Sequence, residues 1–241
     1  MTRIAELNTE GLLRLVRQQD LDDHDVLEVL RNPFCTVQVA EAVLERRSLL
    51  RSHVVRERLA QFPGIPIATA MSLLATVPWL SLLHTAQQPR TPPVVRRHAE
   101  RKLLQLLGRL SLGEAVALSR MAHRPLIRSL GAASRVEVQI ALLDNPHLVE
   151  NDVLVMLSRA NTPRAVVVAT LGHRRWGLCY AVKLSCAVHQ NTPVPLALSI
   201  LVQLKQTDLR EISGRPDVAP KVRAAAVSLL NRDKSGDTIP R

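Results

Sequence analysis

The amino-acid sequence predicts an all-α fold, on three observations. Of 241 residues 46% are hydrophobic but only 2% aromatic, so the core must be built from Leu, Val and Ala, which suit closely packed helices better than sheets. Apolar runs of helical length are separated by Asn- and Pro-containing turns, each of which stops one helix and starts another. The stretch HQNTPVPLALSILVQL, residues 189–204, sets Pro193 and Pro195 at the head of an apolar run. Proline fixes φ and lacks an N–H, so it is costly inside a helix but suits the first turn, and Asn191 or Thr192 is the expected cap.

Taken in order, helices are expected near 9–18, 22–31, 52–61, 93–107, 135–144, 149–159, 163–171, 175–189, 193–204, 207–213 and 219–231. Thr207 is the expected cap of the helix at 207–213. The acidic run DLDDHDVLE, residues 20–28, places Asp20, Asp22 and His24 like the first ligands of a calcium loop, but Asp25 stands where the turn glycine belongs. Acidic capping of the helix at 22–31 accounts for it better. The segment HTAQQPRTPPVV, residues 84–95, is the loosest internal join, and the polar RDKSGDTIPR is expected to be a frayed C-terminal tail.

The turns recur. VLRNPFCTVQVAEAVLER (29–46), LLDNPHLVENDVLVMLSR (142–159) and, more loosely, LAQFPGIPIATAMSLLAT (59–76) share the grammar of residues 189–204. Helices ahead of these turns settle at a spacing of roughly 40 to 44 residues, with room for two further helices between them. The chain thereby resembles armadillo- and HEAT-like α-solenoids, in particular bacterial helical-repeat proteins with Asn-Pro or Asn-Thr-Pro turns. The resemblance implies a right-handed α-solenoid of about five units over residues 1–231, with 1–31 as N-terminal capping helices and 232–241 as a flexible tail. An irregular helical bundle is the competing architecture, and a short middle helix is equally compatible with a HEAT-type kink.

The formal net charge of +11 invites an acidic partner, whether nucleic acid, an anionic surface or protein. No stretch approaches the apolar length of a membrane span, and MTRIAELNTEG lacks the apolar segment of a signal peptide, so a cytoplasmic protein is expected. Three scattered cysteines, Cys35, Cys179 and Cys186, do not make a disulfide framework. In armadillo-like proteins the third helix of each unit lines the concave surface. The resemblance therefore implies a basic ladder of Arg56, Arg96, Arg97, Arg101, Arg135, Arg174, Arg175, Lys183, Lys221 and Arg223. Trp176, Tyr180 and Lys183 share one face of the expected helix at 175–189, a stacking platform flanked by cations. Two plainer readings compete: the cations form a solvated face, and Trp176 plugs a gap between repeats.

The sequence carries no CxxC pair, HExxH helix, nucleophile elbow, Walker loop or dinucleotide-binding glycine fingerprint. No cofactor or metal is expected. The expected function is therefore a non-catalytic scaffold or adaptor holding an acidic or extended protein segment. Nucleic-acid binding through the same ladder is the alternative, and solenoids joining end to end a third reading. An alkylpurine DNA glycosylase-like enzyme is a more distant one, since the third helices offer no Asp beside Trp176 or Tyr180.

Overall fold

The structure, a computed structural model, describes residues 4–18, 20–132 and 135–235, the side chains of 233–235 excepted. Among the described residues every regular element is helical, and no helix is long and apolar enough to cross a membrane. The chain divides into two compact units, Met1–Leu110 and Ser111–Arg241. The first holds α1 (Thr9–Gln18), α2 (Asp23–Arg31), α3 (Val37–Glu45), α4 (His53–Ala60), α5 (Ile67–Leu74), α6 (Trp79–Gln87) and α7 (Pro93–Leu106). The second holds α8 (Leu112–Met121), α9 (Arg124–Leu130), α10 (Val136–Leu142), α11 (Glu150–Leu157), α12 (Arg164–Gly172), α13 (Tyr180–Val188), α14 (Val194–Leu201), α15 (Gln206–Gly214) and α16 (Pro220–Ser235).

Most of these helices have ten residues or fewer, too short to persist alone in water, so packing must hold them. Consecutive helices pair as hairpins, α4 with α5 and α6 with α7 in the first unit, α13 with α14 and α15 with α16 in the second. Each hairpin then stacks at a step of two: α1 on α3, α2 on α4, α4 on α6 and α5 on α7, and in the second unit α8 on α10, α10 on α12, α11 on α13 and α14 on α16. The first core centres on Leu12, Leu59, Leu74, Leu82 and Leu103, the second on Leu118, Leu126, Leu142 and Trp176, all fully buried.

Helix starts expose an internal duplication. Thr9, Asp23, Val37, His53, Ile67, Trp79 and Pro93 begin α1–α7, and Val136, Glu150, Arg164, Tyr180, Val194, Gln206 and Pro220 begin α10–α16, each the same 127 residues (136 less 9) further on. The 3₁₀ turns at Leu49–Arg51 and Trp176–Leu178 obey the same offset. A regular repeat alone would not reproduce this uneven sequence of gaps. Identical residues fall on it as well: Val26 and Val153, Leu30 and Leu157, Val55 and Val182, Leu74 and Leu201, Leu82 and Leu209, Val95 and Val222 are buried in both copies. The run α10–α16 is thus a copy of α1–α7, with α8 and α9 between them in the chain.

Several local expectations need correction. The helix expected at 175–189 is broken: Trp176–Leu178 is a 3₁₀ turn, Cys179 is extended, and α13 starts at Tyr180. Pro193, not Asn191 or Thr192, occupies the cap position of α14; the Asn191 amide donates to the Thr162 carbonyl at 2.8 Å and the Thr192 hydroxyl to that of Cys186. Thr207 lies inside the first turn of α15, behind Lys205. The tail expected from residue 232 is helical through Ser235, and residues 236–241 lie outside the described ones. The acidic run does cap α2: the Asp25 N–H donates to Asp22 at 2.8 Å, and the Asp22 N–H to the Asp25 carboxylate.

Gly64 turns the chain between α4 and α5 at φ +95°, and a Cβ there would meet Val37 Cγ2 at 2.5 Å. Gly64→Ala should cost about 1–2 kcal/mol, the left-handed backbone adding to the crowding. Urea unfolding followed by far-ultraviolet circular dichroism measures it. No change in midpoint would mean that the turn relaxes freely.

Candidate functional site

Within each unit, the cations expected on one ladder sit on helices of different rows. Stacking at a step of two means that helices three apart fall in alternate rows. Within the first unit α4 lies in the row of α2 and α6, while α7 lies on α5; within the second, α10 lies in the row of α8 and α12, while α13 lies on α11. Arg56 of α4 is drawn onto the Thr76 hydroxyl, Lys183 of α13 donates to Gln203 at 2.9 Å, and Arg135 stands at the start of α10. Arg96 and Arg223 occupy duplicate positions, and each keeps a buried Nε without a hydrogen-bond partner. Arg97, Arg101, Arg174 and Lys221 are exposed, with no hydrogen bond or ion pair among the described residues.

Trp176 and Tyr180 do not share a helical face, because the chain turns at Cys179. Trp176 is only 1% exposed, and its Nε1–H donates to the Leu143 carbonyl at 2.8 Å. The His173 ring stacks beside it at 6.1 Å between centroids, and Arg175 lies 4.1 Å over its ring. The ring fills the place that Leu49 holds in the first copy, so it is no platform for bases. Tyr180 donates its hydroxyl proton to the Asp208 carboxylate and accepts the Lys205 N–H at 2.9 Å, and Lys205 Nζ sits 5.2 Å from its ring. An acid therefore does stand beside Tyr180, supplied by α15, which is not one of the third helices. The Asp208 hydrogen bond and burial both raise the Tyr180 pKa, burial first.

The duplication also yields a pair of cavities at equivalent places. In the first unit a cavity of about 580 Å³ opens where the end of α2, the Asn32–Val37 turn, α4 and the residues after α6 meet. Leu30, Val37, Phe62 and Pro63 form apolar wall, and Arg31, Arg58 and Arg90 bring three positive charges to it from three segments far apart in the chain. Among the described residues none of the three guanidinium groups makes a hydrogen bond or ion pair; Arg31 and Arg90 are exposed, while the half-buried Arg58 has its Nε enclosed without a partner. Burial, then the charges of Arg31 and Arg90, lower the Arg58 pKa. Among the described residues no acidic side chain lines the cavity. Glu57, next to Arg58 in sequence, is engaged by the Gln61 amide at 3.2 Å and His84 at 3.4 Å. Burial pushes the Cys35 thiol up to about 11 against the pull of Arg58, so it stays protonated at neutral pH.

The second-unit cavity, of about 390 Å³, is lined by the duplicate positions with the charge removed. Ser158 stands for Arg31, Ser185 for Arg58 and Asp217 for Arg90, while Arg215 replaces Gln88. Arg215 is neutralised on the spot: it donates to Asp217 at 2.7 Å and lies 3.8 Å from Glu211. That hydrogen bond is the largest cause both of the raised Arg215 pKa and of the lowered Asp217 pKa. Arg31, Arg58 and Arg90 were not among the expected site residues, because nothing in local spacing joins them. Laying residues 4–106 over 131–233 puts them among the places where one copy is cationic and the other is not, alongside Arg51 and Leu178, Arg97 and Ala224, and Arg101 and Ser228.

Elsewhere, Asp22, His24 and Asp25 bring possible metal-ligand atoms within 4.8 Å of one another, but both carboxylates already serve the α2 cap. Burial raises the Cys186 thiol to about 12. Comparison of the chain with protein-family models, curated proteins and solved structures finds no match.

Proposed function

We propose that the protein is a non-catalytic helical-repeat adaptor, an α-solenoid of stacked hairpins whose first unit holds an acidic, extended protein segment. The observation that carries this reading is the cavity of Arg31, Arg58 and Arg90, three cations gathered without an ion pair among the described residues. Like charges gathered around a half-buried one, Arg58, repel it, and an anionic group arriving from outside relieves them. Stacking at a step of two supports a solenoid built from two-helix units instead of the three-helix units that the spacing suggested. A protonated Cys35 thiol in the cavity supports binding over nucleophilic chemistry. Three free cysteines fit a reducing compartment such as the cytoplasm.

The alternative, nucleic acid, is favoured by the unpaired surface cations Arg97, Arg174 and Lys221. Fluorescence anisotropy separates the two, using a labelled Glu-rich peptide and a labelled DNA duplex between about 50 and 200 mM salt. The peptide should bind the wild-type chain and lose roughly tenfold in affinity with Arg58→Gln, the scale of one lost charge-assisted contact. Arg174→Glu/Lys221→Glu should change it little. Duplex binding with a steep salt dependence, abolished by the double variant and indifferent to Arg58→Gln, would overturn the adaptor reading.

A further inference from the structure

The two copies supply an internal comparison for the arginine cavity. The second copy keeps the same helix starts, the same 3₁₀ turn and the same buried positions with Ser158, Ser185 and Asp217 where the first has Arg31, Arg58 and Arg90. The fold therefore does not need these arginines. They also carry a standing cost, since Arg58 loses solvent, leaves its Nε unpartnered and faces two like charges. Arg31 and Arg90 are exposed at the rim, and Arg58 is half-buried between them. Here three segments far apart in the chain bring them to one cavity with an apolar wall of Leu30, Val37 and Phe62.

Guanidinium groups are planar forks that match the oxygens of phosphate, and several of them surrounding one group suit a dianion better than a single carboxylate. The cavity, about 580 Å³, also leaves room for the organic body that such a group is attached to. We propose that the first-unit cavity binds one phosphoryl monoester group per chain, held by Arg31, Arg58 and Arg90 against an apolar wall. The second-unit cavity binds none, its single arginine being tied to Asp217 and Glu211. The carrier of the phosphoryl group is either a small molecule or a phosphorylated side chain of the segment proposed above; the second case alone rests on the adaptor reading.

Isothermal titration of the full chain tests this with inorganic phosphate, phenyl phosphate, and a Glu-rich peptide with and without one phosphoserine. Phenyl phosphate should bind at one site per chain, with affinity reduced roughly tenfold or more by Arg58→Gln and by Arg31→Gln, and unchanged by Arg210→Gln in the other unit. Without ligand, Arg58→Gln should melt at the same or a higher temperature than wild type, because repulsion is relieved, which separates lost binding from lost folding. A phosphoserine peptide binding more tightly than phenyl phosphate identifies a protein segment as the carrier; equal or weaker binding identifies a small molecule. No saturable phosphate binding, two equal sites per chain, or indifference to both arginine variants would overturn the proposal. If the peptide binds equally well with and without its phosphate, the phosphoryl site falls and the adaptor stands. If phenyl phosphate binds and neither peptide does, the adaptor falls and the site stands.

Discussion

Trp176→Ala should destabilise the second unit by about 4 kcal/mol, the range found for removing a large aromatic side chain from a packed core. The ring is 1% exposed, and its loss leaves a cavity among α12, α13 and the 3₁₀ turn. It also removes the donor to the Leu143 carbonyl, and orphaning that acceptor adds on the order of 1 kcal/mol. Trp176→Leu makes the sharper test, because Leu49 fills the duplicate position in the first unit. It should cost roughly half as much, since the copy shows that this turn tolerates a leucine while the second-unit carbonyl still loses its donor. Urea unfolding by far-ultraviolet circular dichroism measures both, with Trp79 fluorescence reporting the first unit separately. A loss under about 1 kcal/mol for the alanine variant would mean that the ring can leave its site cheaply, and would reopen the stacking-platform reading.

The fate of this tryptophan shows what the sequence made legible and what it did not. Helical class followed from composition and from turns, and most helix boundaries fell within two residues of expectation, because proline and asparagine act locally. The break at Cys179 was hidden: mostly apolar residues continue across it from Trp176 to Val188, while the 3₁₀ turn packs on α12 and has its first N–H groups held by the His173 ring. Spacing of 40 to 44 residues captured helix triplets but could not reveal that stacking runs at a step of two, since both are multiples of one helix-and-turn length. Within each unit that stacking puts the helices of the expected ladder in alternate rows. The arginine cavity was illegible for a different reason. Arg31, Arg58 and Arg90 come together only in three dimensions, and their contrast with Ser158, Ser185 and Asp217 appears once the chain is compared with itself at the right offset.

The Asn-Pro turns, read from sequence as helix stops, do more than stop a helix, and Asn145→Ala should cost about 3 kcal/mol as a result. Pro146 keeps Asn145 from continuing the helix, and the Asn145 side chain, 1% exposed, then turns inward. Its amide donates to the carbonyls of Ser119 at 2.6 Å and Ala122 at 2.8 Å, and its oxygen accepts the His147 N–H at 2.7 Å. One side chain thus closes its own turn and satisfies the end of α8, two helices back. Asn32 repeats the arrangement, donating to Ile4 at 2.8 Å and Leu7 at 3.3 Å and accepting from Phe34 at 2.7 Å. At the position that duplicates Asn32, Arg159 donates to the Gly131 carbonyl at 2.6 Å, so the second copy keeps the bond and changes the donor. If the inward amide matters, Asn145→Asp should be as damaging as alanine at neutral pH, because it keeps the acceptor but sets a carboxylate against two carbonyl oxygens. If the turn alone matters, the aspartate should be nearly neutral, since it can still accept the His147 N–H. Chemical denaturation of the two variants side by side distinguishes these outcomes, and an aspartate as stable as wild type would reduce Asn145 to a turn residue.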